Sequence, residues 1–103
     1  MAPNRRVEAQ IIGGLAALAL RRGHTAEAAA YLAEAEATLR ELDDRPLLAE
    51  LLCTRCRLEL ARSDREAALA TLAEVEQIAT ATNAEAGSGL ARRIERLRHA
   101  VVE

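Results

Sequence analysis

Cys53 and Cys56 stand three apart in "CTRC", the spacing of a redox pair or of half a zinc site. The flanking residues argue against both. "AELLCTRCRLELA" reads as a strongly helical run, and a disulfide at that spacing inside a regular helix is strained. Zinc needs two further ligands, and the only imidazoles are His24 and His99. Two small buried or half-buried thiols are the expectation, with no metal and no cofactor. Other candidate chemistry is equally thin. "GG" at Gly13 lies inside a helical run and lacks the following Lys-Ser or Lys-Thr of a phosphate loop. Neither histidine sits in a nucleophile motif with Ser or Cys. Glu34 and Glu74 hold corresponding positions but lack the Glu-x-x-His of a di-metal bundle. No catalytic residue is assigned, and the chain reads as a non-enzyme.

The elements that carry these residues follow from composition and period. One hundred and three residues leave room for one domain with a modest core, at 50% hydrophobic and 29% charged. Alanine supplies 24 residues, leucine most of the remaining apolar ones, and Tyr31 is the only aromatic. Side chains that small let helices approach closely, so the core is expected to be helix on helix. A net charge of -2 with acids and bases interspersed gives no field for nucleic-acid binding. The longest apolar stretch, residues 11–20, is short of the roughly 20 residues that span a bilayer. Arg5 and Arg6 alone do not make a signal peptide. A soluble cytoplasmic protein is expected, with no membrane partner.

Five helices and no strands are read along the chain. After a polar tail at 1–6, the first helix at 7–22 is expected to turn Val7, Ile11, Ile12, Leu15 and Leu18 toward the core, with Gly13 and Gly14 exposing backbone for close approach. Gly23 ends it in a left-handed conformation and Thr25 suits the next N-cap. The second helix, 26–42, lines up Ala28, Leu32, Ala35, Leu39 and Leu42. Asp43 or Asp44 caps the third, 45–61, whose first turn tolerates Pro46 and whose wide leucine band suits a helix packed on two sides. Ser63 with Glu66 has the form of a capping box. The fourth helix then runs to about residue 80 with Ala68, Leu72, Val75 and Ile78 or Ala79 inward. Beyond the Gly- and Ser-containing "TATNAEAGSG", the fifth at 90–102 repeats Leu90, Ile94, Leu97 and Val101 against a charged side. That side includes "ARRIERLR", read as a solvated face.

A shift of 40 residues lays one half on the other. Leu18 falls on Leu58, Ala28 on Ala68, Ala30 on Ala70, Leu32 on Leu72, Glu34 on Glu74 and Glu36 on Glu76. A two-helix unit repeated at that period points to a solenoid of helical hairpins. At these residues the chain resembles the tetratricopeptide repeat family. The first copy supplies Ala16, the turn at Gly23, Ala28, Leu32 and Ala35; the second supplies Cys56, "SD" at Ser63, Ala68, Leu72 and Val75. It departs from the family in having Ile12 and Leu52 where aromatics are usual, no late proline, and a period longer than about 34. The copies are also similar to divergent repeats in large bacterial signalling regulators, both ATP-dependent transcription factors of the maltose-activator type and repeat-bearing kinases.

The resemblance implies an all-α, TPR-like α-solenoid in one domain, 7–103, with repeats at 7–44 and 45–82 and a capping helix at 85–103. It further implies a non-catalytic scaffold whose concave face binds a protein or peptide partner. Gln10, Gly13, Ala17 and Arg21 from the first helix, and Cys53, Arg57 and Ala61 from the third, are expected to line that face. Arg21 and Arg57 suit an acidic partner through forked hydrogen bonds to carboxylates. Two other readings accompany it. One is a ligand-sensing or signal-relay piece of a larger bacterial regulator or kinase. The other is a self-associating module, a homodimer in which two chains complete each other's exposed ends; loss of the dimer on Leu90→Glu or Leu97→Glu would place the contact on the last helix.

Overall fold

Asn4, Asp44 and Asp64 each accept a hydrogen bond from the backbone N–H three residues on, at Val7, Leu47 and Ala67, and a helix begins immediately after each. These caps are spaced at multiples of 20 residues. The computed structural model describes residues 4–82 and 88–102, and within them the chain forms α1 (Arg5–Arg21), α2 (Thr25–Glu41), α3 (Arg45–Ala61), α4 (Arg65–Ala81) and α5 (Gly89–Val102). The expected tail residues 1–3, boundary residues 83–87 and Glu103 lie outside the described residues.

The helix ends repeat as regularly as the starts. Gly23, Asp43 and Ser63 all have positive φ, at 79°, 52° and 59°. In each turn the next N–H reaches back to the carbonyl five residues earlier: His24 to Ala19, Asp44 to Leu39 and Asp64 to Glu59. The positive-φ residue itself donates to Leu20, Arg40 or Leu60. This is the Schellman arrangement, and it satisfies carbonyls that would otherwise be orphaned. Two sequence expectations are corrected by it. Ser63 terminates α3 and Asp64 is the cap of α4, so the Ser63–Glu66 capping box does not form. Thr25 is the first residue of α2, and its N-cap is His24, whose side chain makes no capping bond.

Helix against helix, the chain is an antiparallel array of hairpins, all-α among the described residues. α1 packs on α2 and α3 on α4; α3 lies against both helices of the first hairpin, and α5 lies in the same way against both helices of the second. α3 is therefore central, and its buried residues run almost without a break from Leu47 to Ala49 and from Leu51 to Thr54, then include Cys56 and Leu58. The inward lines expected for α2, α4 and α5 are found, apart from Leu42, which is exposed beyond the end of α2, and Leu90, which is half-buried.

The face expected for α1 is buried only in part: Ile12 packs half-buried against the core and Leu18 is half-buried. Ala9, Ala16 and Ala19 are buried, while Val7, Ile11 and Leu15 are 43%, 60% and 41% exposed. The alanine side lets α1 sit close to its neighbours, and a close approach takes precedence over side-chain size in choosing the face. Gly13 shows how close: a Cβ built there comes within 3.1 Å of Leu51 Cδ1. Among the described residues no helix is long and apolar enough to cross a membrane.

The repeated turn makes its own weak points testable. His24→Asn supplies the one missing cap acceptor and is expected to stabilise the fold by about 0.5–1 kcal/mol. Ser63→Gly removes a Cβ from a left-handed residue and should add about 0.5 kcal/mol after the larger chain entropy of the unfolded glycine is counted. Urea midpoints at unchanged m-value measure both.

Candidate functional site

Between α1 and α3 the packing leaves a groove of about 240 Å³. From α1 it is lined by Gln10, Gly13 and Ala17, three of the residues expected on the concave face, and from α3 by Leu47, Glu50, Leu51 and Thr54. Arg93 of α5 closes one side. The groove exists because α1 presents small residues there: with Gly13 and Ala17 opposite leucines, the backbones come close while little side-chain volume fills the space between them.

The other expected residues are placed differently. Arg21, Arg57 and Ala61 are exposed but do not line the groove. Cys53 is 3% exposed and belongs to the core, so its side chain is not presented to a partner. The reason is positional. α1 has one neighbour across the repeat, whereas α3 has α1 on one side and α5 on the other, so a position open in α1 is covered in α3. Reading across by a shift of 40 from Gly13 to Cys53 misses this. Glu50, Leu51, Thr54 and Arg93 were not anticipated, and only the charged pair carried a sequence signal, since both residues stand on the polar side of their helices.

The charged residues of the groove are one carboxylate and one guanidinium, Glu50 and Arg93, which stand 3.9 Å apart. Among the described residues Arg21 and Arg57 have no carboxylate within 4.0 Å. Both cysteines are free, and burial pushes each thiol up to about 11, so both stay protonated at neutral pH. Cys56 donates to the carbonyl of Ala68 at 3.5 Å, a packing role between α3 and α4. His24 stands 3.5 Å from Glu27 and His99 3.7 Å from Glu95, each exposed and each on its own helix.

A second hollow, of about 510 Å³, opens on the side formed by α2 and α3 and is bordered by charged pairs. Arg40 donates two hydrogen bonds to Glu74, at 2.8 and 2.9 Å, and a third to Glu36. Arg55 donates to Glu36 and Glu59, and Glu59 accepts from the Thr71 hydroxyl at 2.6 Å. α2 and α4 do not pack directly on one another, so the forked Arg40–Glu74 pair is what ties them. Both oxygens of Glu74 are committed to Arg40, which leaves the Glu34 and Glu74 positions without a shared ligand role.

The hydrogen bonds from Arg40 hold the Glu74 carboxyl below its usual 4.5. A carboxyl lowered in the folded state stabilises the fold above its ordinary pKa, and that contribution is lost as pH falls through the folded value. With both side chains more than a third exposed the pair is worth roughly 0.5–1 kcal/mol. Glu74→Gln is expected to flatten by that amount the fall in stability as pH drops below the ordinary carboxyl value of 4.5, read from urea titrations. No protein-family model, curated protein or solved structure matches the chain, and its likeness to tetratricopeptide repeats rests on the residues set out above.

Proposed function

We propose that the chain is a non-catalytic interaction module, a short TPR-like array that holds an acidic protein segment along the groove between α1 and α3. The observation that carries this reading is the juxtaposition at that groove of a small-residue helix face, Gln10, Gly13 and Ala17, with the Arg93 guanidinium, which meets Glu50 only at 3.9 Å. The small face admits an extended backbone, Gln10 offers it an amide, and the cations recognise its carboxylates. Arg21 and Arg57, with no carboxylate partner among the described residues, extend the positive track beyond the groove. The free, protonated thiols fit a reducing, cytoplasmic setting.

Fluorescence anisotropy with labelled extended peptides tests it, comparing Asp- and Glu-bearing sequences with their Asn and Gln counterparts. The acidic set is expected to bind more tightly and to weaken as salt rises. An Arg57→Glu, Arg93→Glu double variant should lose roughly tenfold or more in affinity at unchanged helicity. Equal binding of acidic and neutral peptides, or indifference to the double variant, overturns the reading.

A further inference from the structure

We propose that the segment held along the groove is of mixed charge: besides the acidic residues that meet arginine, it carries one basic residue, received by Glu50, three positions from an acidic residue received by Arg57. The inference rests on the function proposed above and defines its partner more closely. Charge in this molecule is divided between its helices. Within their bounds α1, α3 and α5 carry ten arginines and four glutamates, whereas α2 and α4 carry two and seven. The groove lies in the arginine-rich set, between α1 and α3 with α5 at its side, and an acidic partner suits it for that reason.

Against that background Glu50 is the exception, the one carboxylate that lines the groove among the described residues. The other glutamates of these three helices are elsewhere: Glu59 accepts from Thr71 and Arg55, Glu95 from Arg98, and Glu8 stands at the start of α1 away from the groove. Glu50 is also uncommitted. Its nearest cation, Arg93, stops at 3.9 Å, beyond hydrogen-bond reach, and the two side chains are 54% and 48% exposed. No hydrogen bond reaches the Glu50 carboxylate among the described residues. A carboxylate in this position repels the carboxylates of a uniformly acidic segment and attracts a cation, so it selects for a basic residue at that point.

The spacing follows from α3. Glu50 and Arg57 are both exposed and stand seven residues apart, so two helical turns set them on one outward stripe about 10.5 Å from each other. The stripe is low between them, since Cys53 and Thr54 are 3% and 9% exposed. Gly13 and Ala17 keep the facing wall of α1 low as well. A segment in the polyproline II conformation advances about 9 Å in three residues and returns to the same side, which matches the two charges once their long side chains take up the difference. A helical segment would place residues three apart only about 4.5 Å along its axis, and so fits an extended partner less well than the stripe demands.

Fluorescence anisotropy with labelled polyproline-type peptides is the test, with circular dichroism as the control for folding. The peptides carry Asp-x-x-Lys, Asp-x-x-Gln, Asp-x-x-Glu or Asn-x-x-Gln. The wild type is expected to bind the Asp-x-x-Lys peptide roughly threefold more tightly than Asp-x-x-Gln, the size of one exposed ion pair, and Asp-x-x-Gln more tightly than Asn-x-x-Gln. Glu50→Gln should abolish the preference for Lys over Gln and keep that for Asp over Asn. Glu50→Arg should reverse the order, with Asp-x-x-Glu above Asp-x-x-Lys. Arg57→Gln should do the converse of Glu50→Gln, losing the preference for Asp and keeping that for Lys. Equal binding of the Lys and Gln peptides by the wild type, with the Asp preference intact, overturns this inference and leaves the proposed function standing. Loss of the Asp preference as well overturns both. A Lys preference that survives Glu50→Gln overturns the inference by placing the basic residue elsewhere.

Discussion

Alanine occupies buried positions in each of the first four helices: Ala9, Ala16 and Ala19 in α1, Ala28 and Ala35 in α2, Ala49 in α3 and Ala68 in α4 are all 6% exposed or less. A methyl group adds almost nothing to helix radius, so the backbones come close, and the space between them is filled without any buried aromatic ring. Val7, Ile11 and Leu15 of α1 are displaced outward because its small side is the one that fits, while Ile12 and Leu20 pack at the edge of the core. The groove beside Gly13 and Ala17 arises from the same economy of volume. Where the small side meets a leucine the contact is tight, as at Leu51, and where it meets no side chain a hollow is left.

Regular turns make that packing repeat. Every helix from α1 to α4 has 17 residues, and each three-residue connection joins a Schellman ending to an N-cap, so the strict unit is 20 residues although the side-chain pattern repeats at 40. A constant helix length returns the chain to the same height at each turn and brings equivalent stripes into register. Ion pairs add ties: Arg40 joins α2 to α4, which do not pack directly, and Arg98 reinforces the packed pair of α5 and α4 through Glu76. Both pairs lie at the surface and tune the array without holding it together.

The two ends of the array are unlike. α5 has one buried apolar line, Ile94, Leu97 and Val101, and a charged remainder. α1 has an alanine line on one side and a leucine-isoleucine line on the other, separated by the residues of the groove. One helix therefore has a small-residue wall along the groove, Gly14 included, and an exposed line of Val7, Ile11 and Leu15.

Helix number, their breaks, the inward lines of α2, α4 and α5 and the central place of α3 were legible in the sequence, because apolar spacing near 3.6 and the turn signals at Gly23, Asp43–Asp44 and "SD" at Ser63 are local and tertiary contacts reinforce them, although the cap itself is Asp64 and not Ser63. The buried face of α1 was not, because alanine and leucine lines both have helical spacing, and choosing between them depends on how near the neighbouring helix comes. Nor was the burial of Cys53, or the arrival of Arg93 at the groove, since both depend on α5 lying across α3 from far along the chain. Periodicity along one helix records which residues share a face; only the packed array decides which of those faces another helix covers.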